Sequence, residues 1–201
     1  MLPVIWHVRE TALPIVRRRC PHCRADAHTP TGTFRVNANG KLLDVWILAT
    51  CRSCGRTAKL VVHERVRVTT LDRRRLDGYH RNDVDLVAAV LAEPGTARRN
   101  NYRLDWDGAW ELVGEPPTST CRVTVSPGRH AEVSPLDVLA AGLGLSRSRI
   151  TRLVKVGGIV CSADLRRPTA SPFTVEVAAE VVAEVVDALA AEQDDQFSPT
   201  T

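Results

Sequence analysis

Four cysteines in two tight pairs, Cys20-Pro21-His22-Cys23 and Cys51-Arg52-Ser53-Cys54, carry the clearest chemistry in the chain. Each Cys-x-x-Cys turn presents two sulfurs on one side, so two turns closing on each other suit one tetrahedral Zn2+ at Zn–S distances of about 2.3 Å. A redox pair, an iron–sulfur cluster and structural disulfides use the same residue type. Neither pair sits in the strand-to-helix setting of a dithiol redox site, and two pairs fit one ion better than two redox centres, which favours zinc. Four thiolates leave no open coordination position, so the expected ion is a folding staple rather than a catalyst. Cys121 and Cys161 have no paired spacing and read as small core residues.

The residues between the pairs must bring them together. Thr33 to Ala38 and Lys41 to Thr50 are strand-like runs, and Asn39-Gly40 between them is a two-residue hairpin signal. A third run, Lys59 to Thr69, alternates Leu60, Val62, Glu64, Val66 and Val68 against more polar neighbours and is expected to return beside the second. Gly55 supplies the turn after the second pair. Antiparallel hairpins carrying four cysteines constitute a zinc ribbon, and the expected fold class is α+β, with this ribbon followed by a small domain of helices and strands.

Composition bounds the function classes. With 201 residues, 44% hydrophobic and 25% charged, the chain is of ordinary globular make-up. His7, Arg9 and Glu10 interrupt the apolar start at Val4, Ile5 and Trp6 before a signal-peptide core forms, and no run reaches membrane-spanning length, so the expected compartment is the cytoplasm, where thiols stay reduced. Charge is uneven. Residues 1–75 hold fifteen basic and five acidic side chains, 134–177 hold six and three, and 178–201 hold six acidic and none basic. Two basic segments suggest a polyanion partner, against the alternative of a solvated basic surface. Arg17-Arg18-Arg19, just before the first pair, suits either phosphate contact or compensation of thiolate charge.

Four segments are expected: 1–70, the ribbon with its basic lead-in; 71–133, a connecting region; 134–177, a second module; and 178–201, an acidic helix and tail. In the connecting region, Asp72 to Glu93 reads as helical, with Gly78 as a break, Asn82 as a cap before Asp83 and Asp85, and Pro94-Gly95 as the end. Trp106, Trp110, Leu112 and Val113 suggest one short strand, and Val123 and Val125 another. Phe173 to Val177 reads as a strand. Ala178 to Ala191 reads as a helix with Val181, Val182, Val185, Val186 and Leu189 as an apolar stripe, expected to pack on its own chain, and Glu180, Glu184 and Asp187 opposite.

Ser134-Pro135-Leu136-Asp137 opens a helix ended by Gly144, and Ser146 caps a second, Arg147 to Val156, stopped by Gly157-Gly158. At 100° per residue, Ile150, Leu153, Val154 and Val156 share one half of the second helix, leaving Arg147, Arg152 and Lys155 in an adjoining sector beside the free amides at its N-terminus. Arg149 lies at the other border.

The run from Leu143 to Val160 resembles the S-four RNA-binding domain, in which two short helices precede strands and a Ser-Arg pair opens the second helix. The resemblance implies that Ser146, Arg147, Arg149, Arg152 and Lys155 line an RNA-facing groove. The family's basic opening of the first helix is here Ser134-Pro135-Leu136, and its Asn-Gly after the first strand is here Cys161-Ser162. Most of residues 4 to 177 also resemble an uncharacterised bacterial family, domain of unknown function 1062, through Arg19-Cys20-Pro21-His22-Cys23, Phe34-Arg35-Val36-Asn37-Ala38-Asn39, Leu43-Asp44-Val45-Trp46 and Cys51-Arg52-Ser53-Cys54, with the Ser-Arg helix downstream. No nucleophile–base spacing, paired carboxylates or phosphate-cradling glycine loop stands out. The expectation is a non-enzymatic zinc protein that binds structured RNA; the alternative is a protein-interaction or DNA-binding regulator using the ribbon as its surface.

Overall fold

The computed structural model describes residues 4–186. They form two units: Thr11–Ala109, and residues 4–10 together with 110–186. The first strand thus joins a sheet whose other members follow more than 100 positions later. The expected ribbon segment 1–70 is divided between the units at residue 10, and the expected connecting region 71–133 at residue 109.

Thr11–Ala109 is built on β2 (Ile15–Arg17), β3 (Ala27–Asn39), β4 (Leu42–Cys51), β5 (Thr57–Arg67) and β6 (Arg103–Asp105), in the order β5-β4-β3-β2-β6 with antiparallel pairing throughout. The period-two rule is clearest in β4, where Leu43, Val45, Ile47, Ala49 and Cys51 are buried and the residues between are not. That alternation also sets the register. Asn39 pairs with Leu42, so the hairpin loop is Gly40-Lys41, one residue later than expected. Placing Val36 and Phe34 opposite Val45 and Ile47 leaves those two residues over, and Gly40 takes the positive φ of 61°. Strand β3 also starts earlier than expected, at Ala27, with its register broken between Pro30 and Phe34, where proline has no amide to donate.

Helices α1 (Arg73–Arg81), α2 (Val84–Ala92) and α3 (Pro94–Asn100) follow. Gly78 is not the break; it lies inside α1, where an added Cβ would sit 2.6 Å from Leu86 Cδ2 of α2. The break is Asn82, left-handed at φ 55°, which ends α1, while Asp83 caps α2 by accepting from the Leu86 amide. The Asn82 side chain accepts from the Phe34 amide at 2.7 Å, so the break also ties the helices to the irregular part of β3. Pro94-Gly95 follows the end of α2, which stops at Ala92 with Glu93 as its C-cap, as expected; it also opens α3, because proline at the first helical position loses no bond. At its other end, Asn100 donates to the Val61 carbonyl at 2.9 Å and accepts from the Val61 amide at 2.7 Å, occupying part of the open edge of β5 as a neighbouring strand would.

Phe34, Ile47, Leu60, Tyr79, Val87 and Leu91 belong to the core of this unit, with Phe34 and Tyr79 edge to face at 4.7 Å. The Tyr79 hydroxyl accepts from Arg75 Nε at 2.6 Å and stands 2.9 Å from His63 Nε2, and Arg75 also pairs with Glu93. Burial, then the Arg75 and Arg99 guanidiniums, hold His63 below its ordinary 6.5. Unfolded chains therefore protonate first on acidification, and stability present above about pH 6.5 is lost as pH falls through the lower folded value. A His63→Gln variant is expected to flatten the melting temperature between about pH 7 and 5; parallel pH profiles for variant and parent would refute this.

The other unit has β1 (Val4–Glu10), β7 (Trp110–Val113), β8 (Cys121–Ser126), β9 (Ile159–Cys161) and β10 (Phe173–Val177), in the order β7-β1-β8-β10-β9. Only the β1–β8 pairing is parallel. Trp106, expected in a strand with Trp110, lies before β7 and is buried. Helix α4 (Pro135–Leu143) has Ser134 as its cap and Gly144 at its left-handed end; α5 (Arg147–Lys155) has Ser146. Ile150 and Leu153 are buried on α5, but Val156 is 72% exposed, because the helix ends at Lys155 and the 100° pattern stops with it. The chain is helical from 179 to 186, burying Val181, Val182 and Val185 with Val186 exposed; Asp187 and Leu189 lie outside the described residues.

Candidate functional site

The two cysteine pairs join neighbouring strands of one sheet: residues 20–23 lie between β2 and β3, and residues 51–54 run from the end of β4 toward β5. Their backbones repeat the same turn. The Arg24 amide donates to the Cys20 carbonyl and the Gly55 amide to the Cys51 carbonyl, both at 3.0 Å. The Cys20 amide donates to the Ala25 carbonyl at 2.7 Å, and the Cys51 amide to Arg56 at 2.9 Å. The fifth residue is left-handed in both turns, at φ 67° for Arg24 and 69° for Gly55, so Gly55 meets a backbone need that Arg24 meets under strain. Because β2, β3, β4 and β5 are consecutive in the sheet, both turns emerge at the same end.

All four sulfurs lie within 4.8 Å of one another, with Cys20 to Cys54 at 3.9 Å and Cys23 to Cys51 at 3.6 Å. A tetrahedron with metal–sulfur bonds of about 2.3 Å has edges of about 3.8 Å, so this set fits one metal ion. Cys20 and Cys51 are buried, Cys54 half-buried and Cys23 exposed. The Cys23 and His22 amides point at the Cys20 sulfur and hold its thiol down at about 6. The Cys54 and Ser53 amides lower Cys51 in the same way. The Ala25 amide acts to lower Cys23, but partial desolvation of its sulfur and the neighbouring thiols push it up to about 12. Four adjacent thiols cannot all ionise unaided, and a cation among them changes that.

Cys121 is buried and Cys161 half-buried; burial raises both thiols, and neither belongs to the metal-competent group. A Cys121→Ala/Cys161→Ala variant is expected to keep all its metal by elemental analysis. Loss of metal from it would show the ligand set to be incomplete.

The residues expected to meet RNA occupy one helix but are not equally free. The Ser146 hydroxyl caps α5 by accepting from the Arg149 amide at 3.2 Å. Arg147 pairs with Asp137 at 2.6 Å, and Arg149 donates to both carboxylate oxygens of Glu184 at 2.9 and 2.7 Å. Arg152 and Lys155 are exposed and unpaired among the described residues. A groove of about 430 Å³ is lined by Asp137, Arg147, Ser148, Thr151 and Arg166, among others, with neither Arg152 nor Lys155 among its walls. Sequence spacing gives no sign of Arg166, because nothing in it connects that residue with α5. The same holds for the buried His28, opposite Cys51 in the register of β3 and β4.

No helix among the described residues is long and apolar enough to cross a membrane. Comparison with curated proteins and with solved structures finds no match. The model of one family matches residues 36–165, a span that includes the second cysteine pair, all three helices of Thr11–Ala109 and the α4–α5 pair. By that match the chain belongs to the family described as protein of unknown function, DUF1062.

Proposed function

We propose that the protein is a non-enzymatic RNA-binding protein in which Cys20, Cys23, Cys51 and Cys54 hold one structural zinc, at the tip of a zinc ribbon, and α5 meets RNA phosphates. Zinc is favoured by an all-thiolate, closed, near-tetrahedral donor set, which suits a soft ion and leaves no position for water. The RNA reading rests on one observation. Two short capped helices lead into a strand, as in the S-four domain, and the second buries Ile150 and Leu153 while Arg152 and Lys155 stay exposed and unpaired among the described residues. Asp137 and Glu184 hold Arg147 and Arg149 at the borders of that face, ready to exchange a carboxylate for a phosphate or to limit affinity until they do.

The test is binding of structured RNA across a salt series. Arg147→Ala/Arg152→Ala/Lys155→Ala is expected to weaken binding and to make the salt slope shallower by about one unit for each phosphate left without its cation, without lowering the melting temperature. Arg18→Ala/Arg19→Ala is the matched basic control; Arg17 is excluded because Asp105 holds it. Loss of binding in the control but not in the helix variant would move the surface to the cysteine turns. Equal binding of duplex DNA, or no binding of RNA by the parent, would favour a DNA-binding or protein-interaction regulator.

A further inference from the structure

At the cysteine end of the sheet, register places Val16, His28 and Cys51 side by side on β2, β3 and β4, and all three are buried. His28 is only 2% exposed, and its Nδ1 is shut off from solvent with no hydrogen-bond partner. A buried polar nitrogen left unpaired costs about 1–3 kcal/mol. Such a group calls for an explanation, and one explanation is a partner that arrives from outside.

A pocket of about 330 Å³ adjoins the ring, lined by His28 together with residues 20–22 and 56–58. It exists because the sheet has little bulk there: Ala58 pairs with Ala49, and that residue with Pro30. Its walls are mixed, with Pro21 and Ala58 apolar, Thr57 polar and Arg56 charged. Residues 17–28 and 51–58 hold six arginines and a single carboxylate, Asp26, which lies 3.7 Å from Arg17. Arg56 is exposed and has no ion-pair partner among the described residues. Four thiolates on one divalent ion carry a charge of about −2, less than the positive charge of the surrounding turns.

We propose that this pocket binds a nucleotide, its phosphate paired with the Arg56 guanidinium, its base against Pro21 and Ala58, and the His28 ring turned to complete its missing hydrogen bond. Arginine matches phosphate through two parallel N–H groups, and the apolar wall beside it suits a flat base. A free mononucleotide and a nucleotide within an RNA strand present the same group. The site goes beyond the α5 reading, since every residue in it belongs to Thr11–Ala109.

The experiment is a residue-resolved amide NMR titration of the full metal-loaded chain with AMP, adenosine, inorganic phosphate and a short single-stranded RNA. AMP is expected to shift amides of residues 20–28 and 55–58 and to bind at least about tenfold more tightly than adenosine or phosphate. Arg56→Ala is expected to weaken AMP by about tenfold or more with metal content and melting unchanged, and Arg152→Ala/Lys155→Ala to leave AMP binding intact. His28→Phe should weaken it likewise; if that variant loses metal, the Arg56→Ala result alone decides. RNA shifting the same amides in competition with AMP identifies a strand as the source, and AMP alone shifting them identifies the free nucleotide. AMP binding no tighter than adenosine, shifts confined to α5, or an unchanged Arg56→Ala variant overturns the proposal.

Discussion

Cys51→Ser is expected to lower metal content from one ion per chain to near zero and to lower the first melting transition by more than about 10 °C. Cys51 is 2% exposed, closes the buried row of β4, and is held on both sides, by pairing with His28 and by the hydrogen bond its amide N–H donates to the Arg56 carbonyl. Structural zinc contributes apparent binding energies of about 10–16 kcal/mol in small zinc domains. In a domain of about 100 residues, losing only about 3 kcal/mol moves the melting temperature by about 12 °C or more. The expected loss is graded by place. It is largest at the two turns that the sulfurs join, and smaller around Phe34, Ile47 and Leu60, which have helical cover of their own. Hydrogen exchange resolved along the chain should therefore show the cysteine turns opening first when a chelator removes the ion. Full metal content in Cys51→Ser, or a chelated chain that melts with the parent, would exclude the site as a structural centre.

Gly142→Ala is expected to destabilise the protein by about 1–3 kcal/mol, against the roughly 1 kcal/mol of stabilisation that helix propensity alone assigns to this change. Gly142 lies on α4, and an added Cβ would come within 2.3 to 2.7 Å of three atoms of the Trp6 six-membered ring. Trp6 cannot give way easily: it is fully buried, and its indole N–H donates to the Glu115 carbonyl at 2.9 Å. Removing the ring in Trp6→Ala should cost about 3–5 kcal/mol. In the background of a smaller residue, Trp6→Leu, Gly142→Ala should cost much less, and that non-additivity identifies the collision. Denaturant midpoints with unchanged m-values provide the reading. A neutral or stabilising Gly142→Ala would show that α4 and the indole separate without cost.

Features whose partners lie close along the chain, or whose spacing is stereotyped, were legible in the sequence. The cysteine pairs, the caps at Ser134 and Ser146, the alternation of β4, and the strand at Phe173 to Val177 are local facts, written in residue type and period. The errors were local as well, and each came from an interaction the local pattern does not contain. Gly78 reads as a helix breaker until Leu86 packs against it, and Asn82 reads as an opening cap until its side chain is found on the Phe34 amide; Pro94 does stop α2, but the new helix it opens is not in the local pattern. Only packing in three dimensions settled that β1 joins β7 and β8, that Glu184 takes Arg149, and that His28 comes to lie beside Cys51 with its nitrogen unpaired. Propensity, capping and periodicity act over a few residues, whereas strand partners and the company of a buried charge or ring follow from closing long loops to bury apolar surface. Many sequences meet that requirement in different ways, so the choice is made only when the whole unit packs.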